Sequence, residues 1–224
     1  MAEDVPRTLR RFSASVHPGL HRAISRAVTF VGGSTGAWRI TKLSAVRGEG
    51  LPAARHVAVF EGPTPMPGPS EAVWILRGVT SNERYTTRAE HEALAARQPD
   101  LGRPEVTEAA LIPIRKADAW TLSQDERHAI FEARSKHITT SLAYLPAVAR
   151  RLHHGRELGE PFDFLTWFEY APRDAAAFEE LVDRLRSTEE WSYVEREVDI
   201  RLTRSAGAGG QRHVRDTLAG GQPR

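Results

Sequence analysis

One histidine that is expected to face inward, His137, lies in the segment Ser123–Glu157, where apolar residues recur at the spacing of a helix. On a helix over this segment, one face would carry positions 130, 133, 134, 137, 141, 144 and 148. His137 would then lie beside Ile130, Tyr144 and Val148 and away from water. A histidine in this setting is either a hydrogen-bonded core residue or a metal ligand, because a neutral imidazole can serve as either. The spacing alone favours the core interpretation.

Arg150 follows His137 by thirteen residues. In one unbroken helix the two would lie about 20 Å apart along the axis, too far to act on one small group. Pro146 changes this geometry, because proline interrupts the helical hydrogen bonds and disfavours a helical conformation at Leu145. A bend there can bring Arg150 back towards His137. The alternative, which the sequence alone favours, is that Arg150 begins a solvated basic run with Arg151, His153, His154 and Arg156.

Other motifs for chemistry are absent from the sequence. There is no Walker loop, no GxGxxG and no GxSxG. On a helix the adjacent His153 and His154 would point about 100° apart, and Ser141 stands where a zinc motif needs a second ligand after His137. The segment TEEWSYVERE at 188–197 places carboxylates around one tryptophan. A carboxylate of this segment that faces inward can orient an imidazole.

The composition is that of an ordinary globular chain of 224 residues, with 40% hydrophobic and 27% charged residues and a net charge of +2. Cysteine is absent, which excludes disulfides, iron–sulfur clusters, cysteine zinc sites and thiolate or covalent c-type haem attachment. No apolar run has the length of a membrane span, and the Arg-rich N-terminus lacks the apolar stretch of a secretory signal. We therefore expect a cytoplasmic protein. No basic stripe interleaved with aromatic residues indicates nucleic-acid binding.

The pattern of elements predicts an α+β fold in which helices cover one side of an antiparallel sheet. Its order suggests two related halves of ferredoxin-like type. Pro113 is expected to confine its strand to an edge, a bulge or a strand end, because proline cannot donate to the ladder. The predicted strands are Ala27–Gly33, Ala37–Val46, Arg55–Phe60, Val73–Ser81, Glu108–Arg115, Phe162–Tyr170 and Glu195–Thr203, and helices are predicted over Thr87–Ala96 and Asp174–Thr188.

The same pattern divides the chain into three parts. Residues 1–26 form an N-terminal extension that we expect to be disordered, and residues 27–204 form one domain. Residues 205–224 form a Gly-rich tail that we expect to be disordered.

Six blocks of the sequence carry a resemblance to a known family. The blocks are LRGVTSNERY at 76–85, AALIPIRK at 109–116, QDERHAIFEARSKHI at 124–138, YLPAVARRLHH at 144–154, GEPFDFLTWFEYAP at 159–172 and LRSTEEWSYVEREVDIRL at 185–202. In this order and with this spacing they resemble the chlorite dismutase family of haem proteins. The resemblance runs from about Phe30 to Arg204 and is to the short-chain, dimer-forming branch. It implies a barrel-like antiparallel sheet made of two ferredoxin-like halves and covered by helices, as in dimeric α+β barrels.

The resemblance also implies haem b as cofactor, with His137 as the proximal ligand of its iron. Behind the iron, Glu190 and Lys116 are implied to continue a His–Glu–Lys chain. A carboxylate that accepts the imidazole N–H fixes its tautomer and makes it a stronger donor to iron. Further implied positions are a tryptophan flanking the haem, a tyrosine near the propionates and two residues lining the distal pocket, namely Trp120, Tyr85, Thr166 and Phe168.

Arg150 matches the flexible distal arginine of the dismutases. The activity implied is conversion of chlorite to chloride and dioxygen through ferryl haem and transient hypochlorite. A guanidinium above the iron attracts the anion and keeps hypochlorite from escaping. The resemblance further implies a homodimer as the assembly.

Two other functions remain open at this stage. One is coproheme decarboxylase of the same superfamily, which resembles this chain with a glutamine at the position of Arg150 and a catalytic tyrosine at that of Ile112. The other is a haem-binding sensor or carrier without turnover. The chain also departs from many relatives in having Thr121 where a second tryptophan follows Trp120. That difference affects the expected haem packing and leaves the expected ligation unchanged.

Overall fold

The computed structural model describes residues 27–62, 72–80, 96–120 and 122–205, together with Glu92. These residues form eight strands: β1 Ala27–Gly33, β2 Trp38–Arg47, β3 His56–Glu61, β4 Ala72–Thr80, β5 Glu108–Lys116, β6 Val148–His154, β7 Phe164–Tyr170 and β8 Val194–Arg204. The strands pair antiparallel and close into a barrel in the order β1-β3-β2-β8-β5-β7-β6-β4. The predicted α+β barrel is confirmed.

The strand order also confirms the two ferredoxin-like halves. The first half has the order β4-β1-β3-β2 and the second β8-β5-β7-β6, so each places its fourth strand beside its first and its third beside its second. The halves meet where β2 pairs with β8 and where β4 pairs with β6.

Helices of the second half supply the crossovers between its strands. Two α-helices, α1 Gln124–His128 and α2 His137–Leu142, lie between β5 and β6 and flank a π-helical turn, Ala129–Arg134. A third, α3 Ala175–Arg186, connects β7 to β8. Short 3-10 turns occur at Asp118–Trp120, Arg156–Leu158, Pro172–Asp174 and Glu189–Tyr193. No helix in the described part of the chain is long and apolar enough to cross a membrane.

Apolar side chains fill both faces of the sheet. One cluster lies inside the barrel and includes Val198, Ile200 and Leu202 of β8, as their alternation predicts. The second cluster lies on the outer face, where Phe178, Leu181, Val182 and Leu185 of α3 pack against the sheet. Each such side chain, when fully buried, contributes about 1.5–3 kcal/mol. The helices of the second half are therefore fixed to the outside of the barrel.

The predicted long helical segment is wrong beyond Leu142. Residues 148–154 form β6, which pairs with β7 along its whole length. The predicted solvated basic run is wrong for the same reason. His153 points into the barrel, 5.5 Å from the ring of Phe30, and His154 lies on the other face, 5.3 Å from Phe164. Both histidines are buried.

Pro113 occupies a central strand, which contradicts its predicted place at an edge or strand end. Its strand, β5, is paired with β7 on one side and with β8 on the other. Pairing with β7 includes Pro113 opposite Leu165. Pairing with β8 lapses between Leu111 and Ile114. The missing N–H therefore interrupts one ladder locally, and the sheet continues on both sides.

Several predictions concern residues outside the described part of the chain. They are Tyr85 as a site residue, Thr121 as a departure from the family, most of the helix over 87–96, the extension 1–26 and the tail after Ser205.

Candidate functional site

His137 is the first residue of α2 and lies against a buried carboxylate. Its Nδ1 is 2.7 Å from Oε2 of Glu190. Because an ionised carboxylate only accepts hydrogen bonds, Nδ1 is the donor, and in a neutral imidazole the lone pair is then on Nε2. No described residue provides a hydrogen-bond partner for Nε2. The imidazole stacks on Phe131 with ring centroids 4.2 Å apart, and its side chain is 15% exposed. One ring nitrogen is thus fixed and the other is available to a ligand.

A break in the helical segment sets the direction of His137. Lys136 has a left-handed backbone, with φ at 49°, and it separates the π-helical turn from α2. Glu132 then serves as the cap of α2, because its carboxylate accepts the N–H groups of Ile138 and Thr139 at 2.7 and 3.2 Å. A side chain that satisfies these first N–H groups stabilises the helix start. The predicted single helical face does not persist across this break.

The backbone at Lys136 leads to a prediction about stability. A non-glycine residue in the left-handed region costs roughly 1–2 kcal/mol. We expect Lys136→Gly to be more stable than Lys136→Ala by about 1 kcal/mol, since both remove the side chain and only glycine relieves the backbone. Urea unfolding of the two variants measures this difference. A Lys136→Ala variant as stable as Lys136→Gly would contradict the left-handed conformation.

Glu190 and Lys116 form a buried ion pair behind His137. Lys116 Nζ lies 2.8 Å from Glu190 Oε1 and 3.2 Å from its carbonyl oxygen, and both residues are buried. Ser135 Oγ accepts the N–H of Glu190 at 3.0 Å. Burial alone would raise the pKa of Glu190, but the charges and hydrogen bonds of His137 and Lys116 outweigh it and hold that pKa at about 2. The carboxylate is therefore ionised wherever the protein is folded near neutral pH.

The environment of Lys116 fixes its ammonium in place. Its Nζ lies 4.5 Å from the ring centroid of Trp120, within the range of a cation–π contact. Its backbone N–H donates to Asp163 at 2.8 Å, where the pairing of β5 with β8 shifts register. Burial lowers the pKa of Lys116, although the adjacent Glu190 opposes that shift. His137, Glu190 and Lys116 were predicted to form a linked set. In the structure Glu190 contacts both His137 and Lys116 directly.

Arg150 lies on β6, and its side chain reaches the helix that carries His137. Its Nη1 donates to Ser141 Oγ at 2.8 Å, and Ser141 Oγ in turn donates to the carbonyl of His137 at 2.8 Å. Burial lowers the pKa of Arg150 to about 10, so it remains a cation at neutral pH. The structure thus brings Arg150 and His137 into one region, as predicted for a chain that bends before Arg150.

Thr166 and Phe168 lie on the same sheet face as Arg150. Phe168 is the register partner of Arg150, and Thr166 is the partner of Leu152 on β6 and of Ile112 on β5. Paired residues of neighbouring strands share a face. The residues predicted to line one pocket therefore form a patch on the outer face of the sheet, on the side where Phe178 packs against Phe168.

Trp120 is buried, and its indole Nε1 has no hydrogen-bond partner among the described residues. A buried N–H donor without an acceptor is costly and indicates a ligand or water at that point. The tryptophan borders a cavity that is also lined by basic side chains, two carboxylates and one ring, namely Arg127, His154, Arg156, Glu157, Asp163 and Phe164. Haem suits the indole and the imidazole, because its propionates are acceptors for an N–H donor and its iron takes an imidazole nitrogen such as Nε2 of His137.

Three contacts of the site were missed by the analysis of the sequence. They are the stacking of Phe131 on His137, the cap from Glu132 and the link through Ser141. Glu132 carried a usable signal, since an acidic residue shortly before a helix start is a common cap. The other two depend on the break at Lys136, which has no signature in the sequence.

Comparison with known proteins gives the family. No family model matches the chain. A crystal structure of dimeric chlorite dismutases from Nitrobacter winogradskyi is 58% identical, with 80% of this chain and 99% of that chain covered and a TM-score of 0.73. Two structures from Candidatus Nitrospira defluvii share the fold at lower identity. A tryptophan-to-valine variant of its chlorite dismutase is 18% identical, with 85% of this chain and 96% of that chain covered and a TM-score of 0.58. The complex of that enzyme with imidazole is 19% identical, with 79% and 90% covered and a TM-score of 0.56.

An identity of 58% over almost the whole Nitrobacter chain is far above what a shared fold alone produces. The protein belongs to the chlorite dismutase family, in the short-chain branch that contains the dimeric Nitrobacter enzyme.

Proposed function

We propose that this protein is a haem b-dependent chlorite dismutase that converts chlorite to chloride and dioxygen. The observation that carries the proposal is the convergence of His137 and Arg150 on one region, with the buried Glu190 directly behind the histidine. The 58% identity to the Nitrobacter enzyme supports it. The site thus combines an imidazole with a guanidinium cation.

His137 would hold the haem iron through Nε2, and Trp120 would donate to a propionate through its unpartnered Nε1. Bound haem supplies the oxygen-atom transfer chemistry that the side chains of this protein lack. The residues of the chain prepare the site for it. Glu190 accepts the Nδ1 proton and increases the electron donation of the imidazole, while Lys116 fixes the position of the carboxylate.

Arg150 would act on the anions of the reaction. Chlorite carries one negative charge, and the guanidinium offers a cation with several N–H donors in a half-buried setting. Arg150 stands on β6 opposite Phe168, and its guanidinium donates to Ser141 Oγ, so an anion would have to compete with that hydroxyl for the guanidinium. We infer that it draws chlorite into the site and retains the hypochlorite released from it until dioxygen forms.

Ile112 argues against coproheme decarboxylase. It lies on β5 opposite Thr166, on the same sheet face as Arg150, and it is buried. An aliphatic side chain has no hydroxyl to oxidise, so the tyrosine-based chemistry implied for that enzyme has no residue here. Arg150 in place of glutamine agrees with the dismutase.

Oxygen evolution from chlorite by the haem-loaded protein tests the proposal. We expect a Clark electrode to record one dioxygen for each chlorite consumed, with chloride as the other product. Stable haem binding without dioxygen would overturn the enzyme and leave a sensor or carrier. Conversion of coproheme to haem b with peroxide would establish the decarboxylase instead.

Replacing Arg150 by alanine should release hypochlorite and leave haem affinity almost unchanged. If the guanidinium retains the anion by only about 1.4 kcal/mol, its loss increases escape roughly tenfold. We expect the number of turnovers before haem bleaching to fall by about this factor. A hypochlorite trap such as methionine should then restore much of the lifetime of the haem.

Arg151→Ala is the matched control for this variant. Arg151 is the next residue on β6, points to the opposite face and pairs with Glu61 at 3.6 Å. The haem of the Arg151→Ala variant should bleach at the wild-type rate. Equal bleaching of both variants would show that Arg150 has no special role.

The assembly and the domain organisation form part of the same proposal. We infer a homodimer, because the relative that is 58% identical is described as dimeric. Sedimentation of the purified protein at twice 24.9 kDa would support it, and a monomer would contradict it. We also propose a cytoplasmic location. We further propose residues 27–204 as the haem-binding domain, so a chain without residues 1–26 and 205–224 should still bind haem.

A further inference from the structure

A buried cluster of charges lies on the outer face of β8, beside α3 and away from the side chain of His137. Glu197 and Asp199 are almost fully buried, at 0% and 1% exposure. Arg186 of α3 donates to both, at 2.5 Å to Glu197 and 3.2 Å to Asp199. Arg201 completes the cluster at 2.5 Å from Asp199. Buried carboxylates of this kind are tolerated only when they are paired.

Glu197 differs from Asp199 in having a second kind of partner. Its Oε1 accepts from Arg186, while its Oε2 accepts the indole N–H of Trp191 at 2.8 Å. No such bond links Asp199 to an aromatic side chain in the described part of the molecule. The two carboxylates therefore share an arginine, and only one of them contacts the turn that precedes β8.

Trp191 directly follows Glu190 in the 3-10 turn Glu189–Tyr193. Its ring centroid lies 5.6 Å from Nζ of Lys116, on the same ammonium that Trp120 contacts at 4.5 Å. The carbonyl of Trp191 accepts from Arg47 at 3.0 Å. The residue next to Glu190 is thus held at two points, its carbonyl by Arg47 and its indole by Glu197.

We propose that Glu197 is a positioning residue for His137, acting through Trp191 and through Lys116 on the carboxylate of Glu190. The chain of contacts runs from Arg186 on α3 to the imidazole, and each step is a hydrogen bond, a cation–π contact or an ion pair. The inference rests on the proposed function in one respect, which is that the group bound at His137 is haem.

Loss of the charge on Glu197 has a definite expected direction. The carboxylate holds the indole of Trp191, and the ring of that indole contacts the ammonium of Lys116. Without it, Lys116 is drawn more closely to Glu190, which then becomes a weaker acceptor for the imidazole N–H. A less electron-rich imidazole stabilises ferric iron less. The midpoint potential of the bound haem should therefore become more positive.

Three single variants separate this role from a purely structural one. Glu197→Gln removes the charge and keeps the shape, and Trp191→Phe removes the indole N–H and keeps a ring near Lys116. Asp199→Asn is the matched control, because it disturbs the same buried cluster without touching Trp191. We expect a positive shift of the potential in the first two variants and none in the control, even where all three lower Tm.

A double variant tests the path. If Glu197 acts through Glu190, the shift caused by Glu197→Gln should disappear in a Glu190→Gln background, because contacts in one chain are not additive. Equal shifts in Glu197→Gln and Asp199→Asn would overturn the proposal. So would a full shift in the Glu190→Gln background.

One readout does not require haem. Bonds to a charged acceptor are roughly twice as strong as bonds to a neutral one, so the indole N–H of Trp191 should exchange with solvent severalfold faster in Glu197→Gln than in Asp199→Asn. NMR of the 15N-labelled protein without haem measures this. If the wild-type protein binds no haem while this difference is seen, the proposed function fails and the contact at Trp191 stands. If the exchange rates are equal, the positioning role fails independently.

Discussion

Replacing His137 by alanine is expected to abolish stable haem binding and, with it, oxygen evolution from chlorite. Nε2 of His137 is the ring nitrogen left without a partner while Nδ1 is fixed by Glu190. Loss of a partner that only orients a ligand already costs about 10–100-fold in metal affinity, so loss of the ligand itself should exceed that range. Haem titration followed by the Soret band measures the affinity, and added imidazole should restore part of the ligation.

His56→Ala provides the control for this experiment. His56 is a strand residue whose ring contacts the carbonyl of Ser34 at 2.9 Å, and it lies on β3 of the other half of the barrel. This variant should bind haem as the wild type does. An unchanged five-coordinate ferric spectrum in His137→Ala would show that another residue is the axial ligand.

Replacing Glu190 by glutamine should cost about 3–5 kcal/mol of folding free energy in the protein without haem, because it leaves the ammonium of Lys116 buried without a counter-ion. Lys116 is only 2% exposed. Chemical denaturation at neutral pH measures the loss. The double variant Glu190→Leu with Lys116→Met should recover most of it, since two apolar side chains remove both charges.

An exposed ion pair is the matched control. Arg115 and Glu195 lie 2.6 Å apart, but their side chains are 53% and 42% exposed. Glu195→Gln should therefore cost less than about 1 kcal/mol. Equal losses from Glu190→Gln and Glu195→Gln would show that the buried pair is not the strong interaction that its burial indicates.

The same carboxylate should make stability depend on acid pH. The pKa of Glu190 is about 2 in the folded protein and 4.5 as its ordinary value. A lowered carboxyl pKa stabilises the fold above the ordinary value, and that stability is lost as pH falls towards the folded pKa. About 3 kcal/mol should disappear between pH 4.5 and pH 2 in the wild type. This contribution should be missing from Glu190→Gln.

Strand positions could be predicted from the sequence because alternation of apolar residues is a local signal. β1 matches its predicted bounds, and β8 shows the predicted alternation of Val198, Ile200 and Leu202 against polar neighbours. The helix predicted over the residues of β6 was wrong for a local reason as well. Val148 and Leu152 are four apart, which fits a helix, and pairing with β7 decides the outcome.

The contacts of the candidate site, in contrast, could not be predicted from local sequence patterns. Lys116 and Glu190 are separated by 74 residues, and no local pattern indicates that they meet. Their association was predicted from resemblance to a family, and the structure places them in contact. The break at Lys136 was not predicted, because lysine has no preference of its own for the left-handed backbone conformation. The residues near it, Glu132 and Ser135, make the hydrogen bonds that fix this part of the chain.

Closure of the barrel restricts how two copies of this protein can associate. In an open sheet the outermost strand offers free N–H and C=O groups to a second chain. Here every strand from β1 to β8 has a neighbour on each side, although the junctions β2–β3 and β4–β6 pair over only two residues each. A dimer that does not use these two junctions must be made by side chains of helices, loops or outward strand faces. Its specificity would then depend on shape and charge.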